Sequence, residues 1–168
     1  MSVDSDGEFS GAIDAMRLCV ASSKTYQEVT ASRNESQALG TVVRGGIWET
    51  SPPDQARAIV RMDEGMTVSG RENISSFVWT VPFLVSFEFP IPESHWSDFT
   101  DSYTWFMNRD GKIFKEMLNN TRERPGELPF VVEAYHTIRP GIYDPDEQQG
   151  NYIGVSEYTF EALGEISL

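Results

Sequence analysis

Two histidines, one cysteine and one acidic loop are the residues of this 168-residue sequence best suited to chemistry. His95 falls at the start of a helical pattern and His136 in the middle of a strand pattern. No H-E-x-x-H or C-x-x-C spacing occurs, so no zinc site is suggested. A serine nucleophile needs a histidine base and an orienting acid, but there is no G-x-S-x-G elbow to present one, and each histidine reads more simply as structural. Cys19 stands beside Val20 in a helical pattern with no cationic cluster next to it, the setting of a buried, unreactive thiol. The segment "DPDEQQGN" offers Asp144, Asp146 and Glu147. It lacks both the central glycine and the twelfth-position glutamate of a calcium loop, and reads as solvated. The glycines at 40, 45 and 46 form neither a phosphate loop nor a dinucleotide fingerprint, and no pair of carboxylates stands out. The expectation is a protein that is not an enzyme and holds no cofactor or metal.

The charge is more informative than any of these residues. There are 26 acidic against 13 basic side chains, a formal net charge of −13. A nucleic-acid-binding surface needs a basic footprint, so that class is disfavoured, and so are anionic membranes. Acidic chains of this kind bind basic partners, mimic DNA, or line a path that DNA must cross without sticking. A solubility effect alone is the plain alternative. The length predicts one domain over residues 1–168, with residues 1–8 as an acidic, disordered lead. No stretch approaches the roughly 18 unbroken apolar residues of a membrane span. The opening "MSVDSDGEFSG" is the opposite of a secretory signal, which predicts synthesis and use, or assembly, in a cytoplasm. A single cysteine excludes an intrachain disulfide.

The elements that must position these residues follow from periodicity. Phe9, Ile13, Met16 and Val20 predict a helix from Phe9 to about Ser22, followed by a polar link, "SSKTYQEVTASRNESQALG". Strands are predicted over Thr41–Glu49 and Ala56–Glu64, and a hairpin or loop over "EGMTVSGRENISS". The odd positions from Phe77 to Ile91 are all apolar, which predicts a long half-buried strand to about Phe89. A helix opens near Ser94, a candidate cap, and carries Trp96, Phe99, Tyr103, Phe106, Ile113, Phe114, Met117 and Leu118. It is either one long helix or two joined by a kink at "NRDG". Strands over Phe130–Arg139 and Tyr152–Ile166 close the chain, with the acidic loop between them. The fold class is therefore α+β: a mostly antiparallel sheet, an N-terminal helix, and one long or kinked helix packed on one face.

Pro82 interrupts the long strand. Proline cannot donate to a ladder, so it marks an edge or a bulge. Phe77, Trp79, Pro82 and Phe83 are accordingly read as a subunit-edge strand that a neighbour completes.

The order of these segments resembles that of tailed-phage neck and tail-completion proteins. The likeness lies in "AMRLCVASSKTYQEVTASRNESQALGTVV", with its Ser-x-Thr-Tyr-Gln stretch at Ser23–Gln27 and its Ala38-Leu39 pair. "ARAIVRMDE", "VPFLVSFEFPIP" with the helix after it, and the closing "YIGVSEYTFEA" extend it over most of the chain. These motifs are short. The acidity and the "PGIYDPDEQQG" insertion depart from the pattern. The resemblance implies a structural virion protein, a tail terminator. Such a subunit forms a ring, usually of six copies, that caps the tail tube and docks on the head-tail connector, while DNA passes through unbound. Its expected partners are other copies of itself, the tail tube protein and the connector or adaptor protein. Its expected location is the virion neck, after assembly in the host cytoplasm. Asp63, Glu64 and Glu72, with Asp144, Asp146 and Glu147, are the candidate bore or subunit-contact residues. The alternative is an acidic immunity protein or antitoxin that blocks a basic nuclease. A third reading is a small-molecule or hydrolytic domain with Trp79, Trp96 and Trp105 as its pocket, against the simpler reading of those rings as core.

Overall fold

The computed structural model describes residues 8–45, 55–62, 67–70, 76–125, 127–128, 130–143 and 153–167. It is α+β. Four helices, α1 (Glu8–Ala21), α2 (Lys24–Val29), α3 (Glu35–Leu39) and α4 (Phe99–Glu123), accompany six strands. The strands are β1 (Val42–Arg44), β2 (Arg57–Met62), β3 (Thr67–Gly70), β4 (Ser76–Pro90), β5 (Phe130–Tyr143) and β6 (Ile153–Ser167). They form one sheet in the order β1-β2-β4-β6-β5, with β3 pairing beside β2 on the same flank of β4. Only the β1–β2 pair is parallel.

The alternation along β4 sets the core. Val81, Phe83, Val85, Phe87 and Phe89 are fully buried. Their partners on β6 continue the face through Tyr158, Phe160 and Ala162. Every described helix packs on this side. Tyr26 of α2 meets Phe87 and Phe89 at 6.0 and 6.2 Å between ring centroids. Phe106 of α4 meets Phe89 at 5.9 Å, and Phe114 stacks on Tyr158 at 5.1 Å. From α1, Met16, Cys19 and Val20 enter the same cluster. Fully burying one such side chain stabilises by roughly 1.5–3 kcal/mol, so this face dominates the stability of the fold.

β4 is not an edge. β6 pairs with it along its whole length, from Ser76 to Pro90. On the other flank β2 covers Phe83–Glu88 and β3 covers Phe77–Thr80. Phe77, Trp79, Pro82 and Phe83 therefore lie inside the sheet, and the expectation of a subunit-edge strand there is corrected. The proline has a different explanation. The β2 register ends at Phe83 and the β3 register resumes at Thr80, offset by two residues, so Val81 and Pro82 fall in the gap between them. A residue without an N–H is tolerated where the ladder is already interrupted. Pro140 sits in a comparable place, between Thr137 and Gly141, where the β5–β6 register shifts.

Three further expectations change. The polar link after α1 is not a link but two short helices. Ser23 caps α2, accepting from Tyr26 N, and Asn34 caps α3, accepting from Gln37 N. The long helix is continuous through "NRDG" and starts at Asp98, whose side chain accepts from Thr100 N at 2.8 Å, rather than at Ser94. Ser94 lies in a single 3-10 turn, Glu93–His95. Phe99, expected on the apolar stripe, is 69% exposed and stacks on Tyr103 instead. Asp63, Glu64, Glu72, Asp144, Asp146 and Glu147 lie outside the described residues, as does most of the predicted hairpin apart from β3.

Candidate functional site

His95 closes the 3-10 turn before α4. Its Nδ1 is 2.9 Å from Asp101 Oδ2, and Ser102 donates its hydroxyl to the His95 carbonyl oxygen. A serine, a histidine and an aspartate are thus adjacent, but the serine bonds backbone rather than the imidazole. A nucleophile–base pair requires the opposite arrangement, so this trio holds the start of α4. Cys19 is buried, and burial pushes its thiol up to about 12, far from thiolate reactivity. Among the described residues no group of three or more His, Cys, Asp or Glu side chains is placed to hold a metal, and no helix is long and apolar enough to cross a membrane. The three tryptophans do not converge. Trp79 lies near the start of β4, over Gly164 of β6, where an added Cβ would meet the indole at 2.0 Å. Trp96 follows the end of that strand, its Nε1 donating to Ile91 O at 2.7 Å. Eleven residues of extended chain, roughly 35 Å, separate Trp79 from the end of β4, so the pocket reading is corrected.

The Ser23–Gln27 stretch is used by the fold at every polar group that a hydrogen bond resolves. Glu116, reaching over from α4, accepts from Ser23 Oγ at 2.6 Å, Thr25 N at 2.9 Å and Thr25 Oγ1 at 2.9 Å. This puts a carboxylate at the N-terminal turn of α2, where unpaired N–H groups favour an anion. Burial alone would raise the Glu116 carboxyl, but these hydrogen bonds outweigh it and hold the pKa below its ordinary value. Tyr26 is fully buried with its hydroxyl 2.7 Å from Thr41 Oγ1, and Gln27 Nε2 donates to Ala21 O at 2.8 Å. The motif that carried the resemblance is a helix-docking device.

A second polar node was not legible in the sequence. Asp110 of α4 is completely buried and accepts from the hydroxyls of Ser156 and Tyr158 on β6. Burial, then the neighbouring Asp110 charge, raise the Tyr158 hydroxyl pKa. Only the 3.6-residue phase counted from Phe106 through Ile113 puts Asp110 inward; as "NRDG" it reads as a helix breaker. A third node ties α1 to β1. Burial would raise the Asp14 carboxyl, but hydrogen bonds from Arg44 and Arg17 hold it below its ordinary value. Arg17 Nε also donates to Val42 O at 2.8 Å.

What remains for function is surface, and two patches on its opposite sides differ in charged residues, although the sheet side also carries Arg57, paired with Glu88, and Arg61. The sheet face away from the helices has no described helix over it. Ile59, Leu84 and Ile153 are buried there but stand apart from the main core, and Val78 and Leu163 are 39% and 37% exposed. On β6 this face carries Glu157 and Glu161, neither bonded to a described residue, and the register pairs Glu161 with Glu133 of β5. The solvent side of α4 is the reverse. Lys112, Lys115 and Arg122 are exposed and form no ion pair within contact distance of a described residue, although the Lys112 charge acts on Glu116 one turn away. Three acids of that helix are occupied, Asp101 with His95, Asp110 in the core and Glu116 on Ser23 and Thr25, and one, Glu123, is exposed beside Arg122.

No protein-family model matches the chain, and no curated protein matches it.

Proposed function

We propose that this protein is a structural ring subunit of a tailed-phage neck, a tail terminator or tail-completion protein that caps the tail tube and meets the head-tail connector. The observation that carries the reading is the one-sided architecture. Among the described residues, helices pack on one face of a broad sheet only, and the other face keeps partly exposed apolar side chains at Val78 and Leu163. A surface of that kind suits a neighbouring subunit. Three features support it. The order of segments in the sequence resembles that of the neck proteins, the Ser23–Gln27 stretch that carries part of the likeness docks α2 on α4, and the net charge of −13 suits a wall that DNA crosses without being held. The proposed ring has six copies, with DNA crossing its bore unbound.

The test is solution mass by light scattering, with negative-stain images of the same sample. Closed rings with an open centre are the expected result. A monomer that also fails to bind tail tubes or connectors would overturn the reading. The acidic positions on β6 would then favour the second reading, an immunity protein that blocks a basic nuclease through a tight, salt-sensitive, one-to-one complex.

A further inference from the structure

We infer that copies of this chain associate head-to-tail, the basic ridge of α4 on one copy docking against the acidic β6 flank, on the sheet face with no described helix over it, of the next. The inference rests on the ring reading and says which surfaces meet. Within a chain of net charge −13, the outward side of α4 is locally positive through Lys112, Lys115 and Arg122. Across the molecule, Glu157 and Glu161 lie on the β6 positions that face away from the helices, and neither is bonded to a described residue. The spacings agree. Lys112 and Arg122 are about 15 Å apart along a helix that rises ~1.5 Å per residue. Glu157 and Glu161 are about 14 Å apart along a strand that rises ~3.4 Å per residue.

Gly111 is an independent pointer. It is exposed at the N-terminal end of the ridge, next to Lys112, and a Cβ there would meet nothing within 4 Å. A glycine inside a helix costs about 0.5–1 kcal/mol relative to alanine, and nothing in the described subunit requires it. A close approach by a neighbouring backbone would use it. The contact joins two different surfaces, so it is heterologous. Such contacts close into rings when the rotation permits and otherwise extend as filaments.

The experiment uses the full chain at about 0.1 M salt. One variant reverses the ridge (Lys112→Glu, Lys115→Glu, Arg122→Glu) and another reverses the sheet flank (Glu157→Lys, Glu161→Lys). Mass is followed by light scattering across a dilution series, and melting by circular dichroism reports folding. Each variant alone should lose self-association by about tenfold or more. An equimolar mixture of the two should recover it, because every contact in the mixture pairs opposite charges. Recovery also proves that both variants fold. Association that survives both reversals overturns the pairing while leaving the ring reading intact, and so does a mixture of folded variants that fails to recover. A wild-type chain that stays monomeric throughout overturns the pairing together with spontaneous ring formation. A Gly111→Gln variant separates the ridge from general stability: the subunit should melt higher while associating more weakly.

Discussion

Glu116 couples two elements that are distant in sequence, and its protonation is therefore a stability event. Its carboxylate accepts three hydrogen bonds from Ser23 and Thr25, and its pKa is held below the ordinary value of 4.5. The depressed native value means that the unfolded chain binds the proton more readily. The stabilisation is therefore complete above the unfolded value and disappears as pH falls through the native one. Asp14 behaves the same way below its ordinary 3.8. Glu116→Gln should lower stability by roughly 1–2 kcal/mol near neutral pH, since it weakens charge-assisted hydrogen bonds. It should also flatten the acid side of the stability curve below about pH 4.5, as measured by urea midpoints at successive pH values. An unchanged acid limb would mean that the three hydrogen bonds do not form in solution. Cys19 offers a second check at this scale. With its thiol pushed up to about 12 and its side chain buried, it should react with a thiol reagent only at the rate of unfolding, and immediately in denaturant.

At the scale of elements, α4 is the one whose continuity the sequence left open between one helix and two. Its apolar stripe was legible at both ends, through Phe106 and through Ile113 and Met117, because burial at intervals of three and four residues is what periodicity reports. "NRDG" was not, because aspartate and glycine favour turns by local propensity and only the tertiary partners Ser156 and Tyr158 make Asp110 acceptable inside a helix. The same override hides α2 and α3, whose polar residues are consumed by capping and by Glu116 rather than by water. β4 shows the converse. Its alternation gave the buried face correctly, but alternation carries no information about which neighbours pair with a strand, so Pro82 was read as an edge when it marks a gap between two registers. Asp110→Ala tests the override. It leaves two buried hydroxyls without their acceptor, a loss of about 3 kcal/mol or more. The triple change with Ser156→Ala and Tyr158→Phe should recover part of that loss, because groups in one network are not additive. Strict additivity in denaturant midpoints would show the three groups to be independent.

At the scale of the whole molecule, charge acts at two ranges that salt separates. Two copies at −13 each repel over the distance between their centres. A domain of this length has a radius of gyration of about 15 Å, so that distance is on the order of 30 Å. The Debye length is about 10 Å at 0.1 M salt and about 30 Å at 0.01 M, so the net repulsion keeps roughly a third of its unscreened strength at the lower concentration and about a twentieth at the higher. The proposed contacts between Lys112, Lys115 and Arg122 and the β6 glutamates operate within a few ångströms and lose strength only when the Debye length shrinks toward ~3 Å near 1 M. Self-association should therefore rise as salt increases from 0.01 M to about 0.1 M and fall again toward 1 M, with its maximum in between. Light scattering at fixed protein concentration across that range reads the curve directly. A purely apolar contact would rise and stay high, because nothing in it is screened. A complex with a basic partner instead of a second copy would fall from the lowest salt onward, since opposite net charges attract at long range as well as short. The shape of one curve thus distinguishes a subunit that finds its own kind from one built to capture a cation-rich protein.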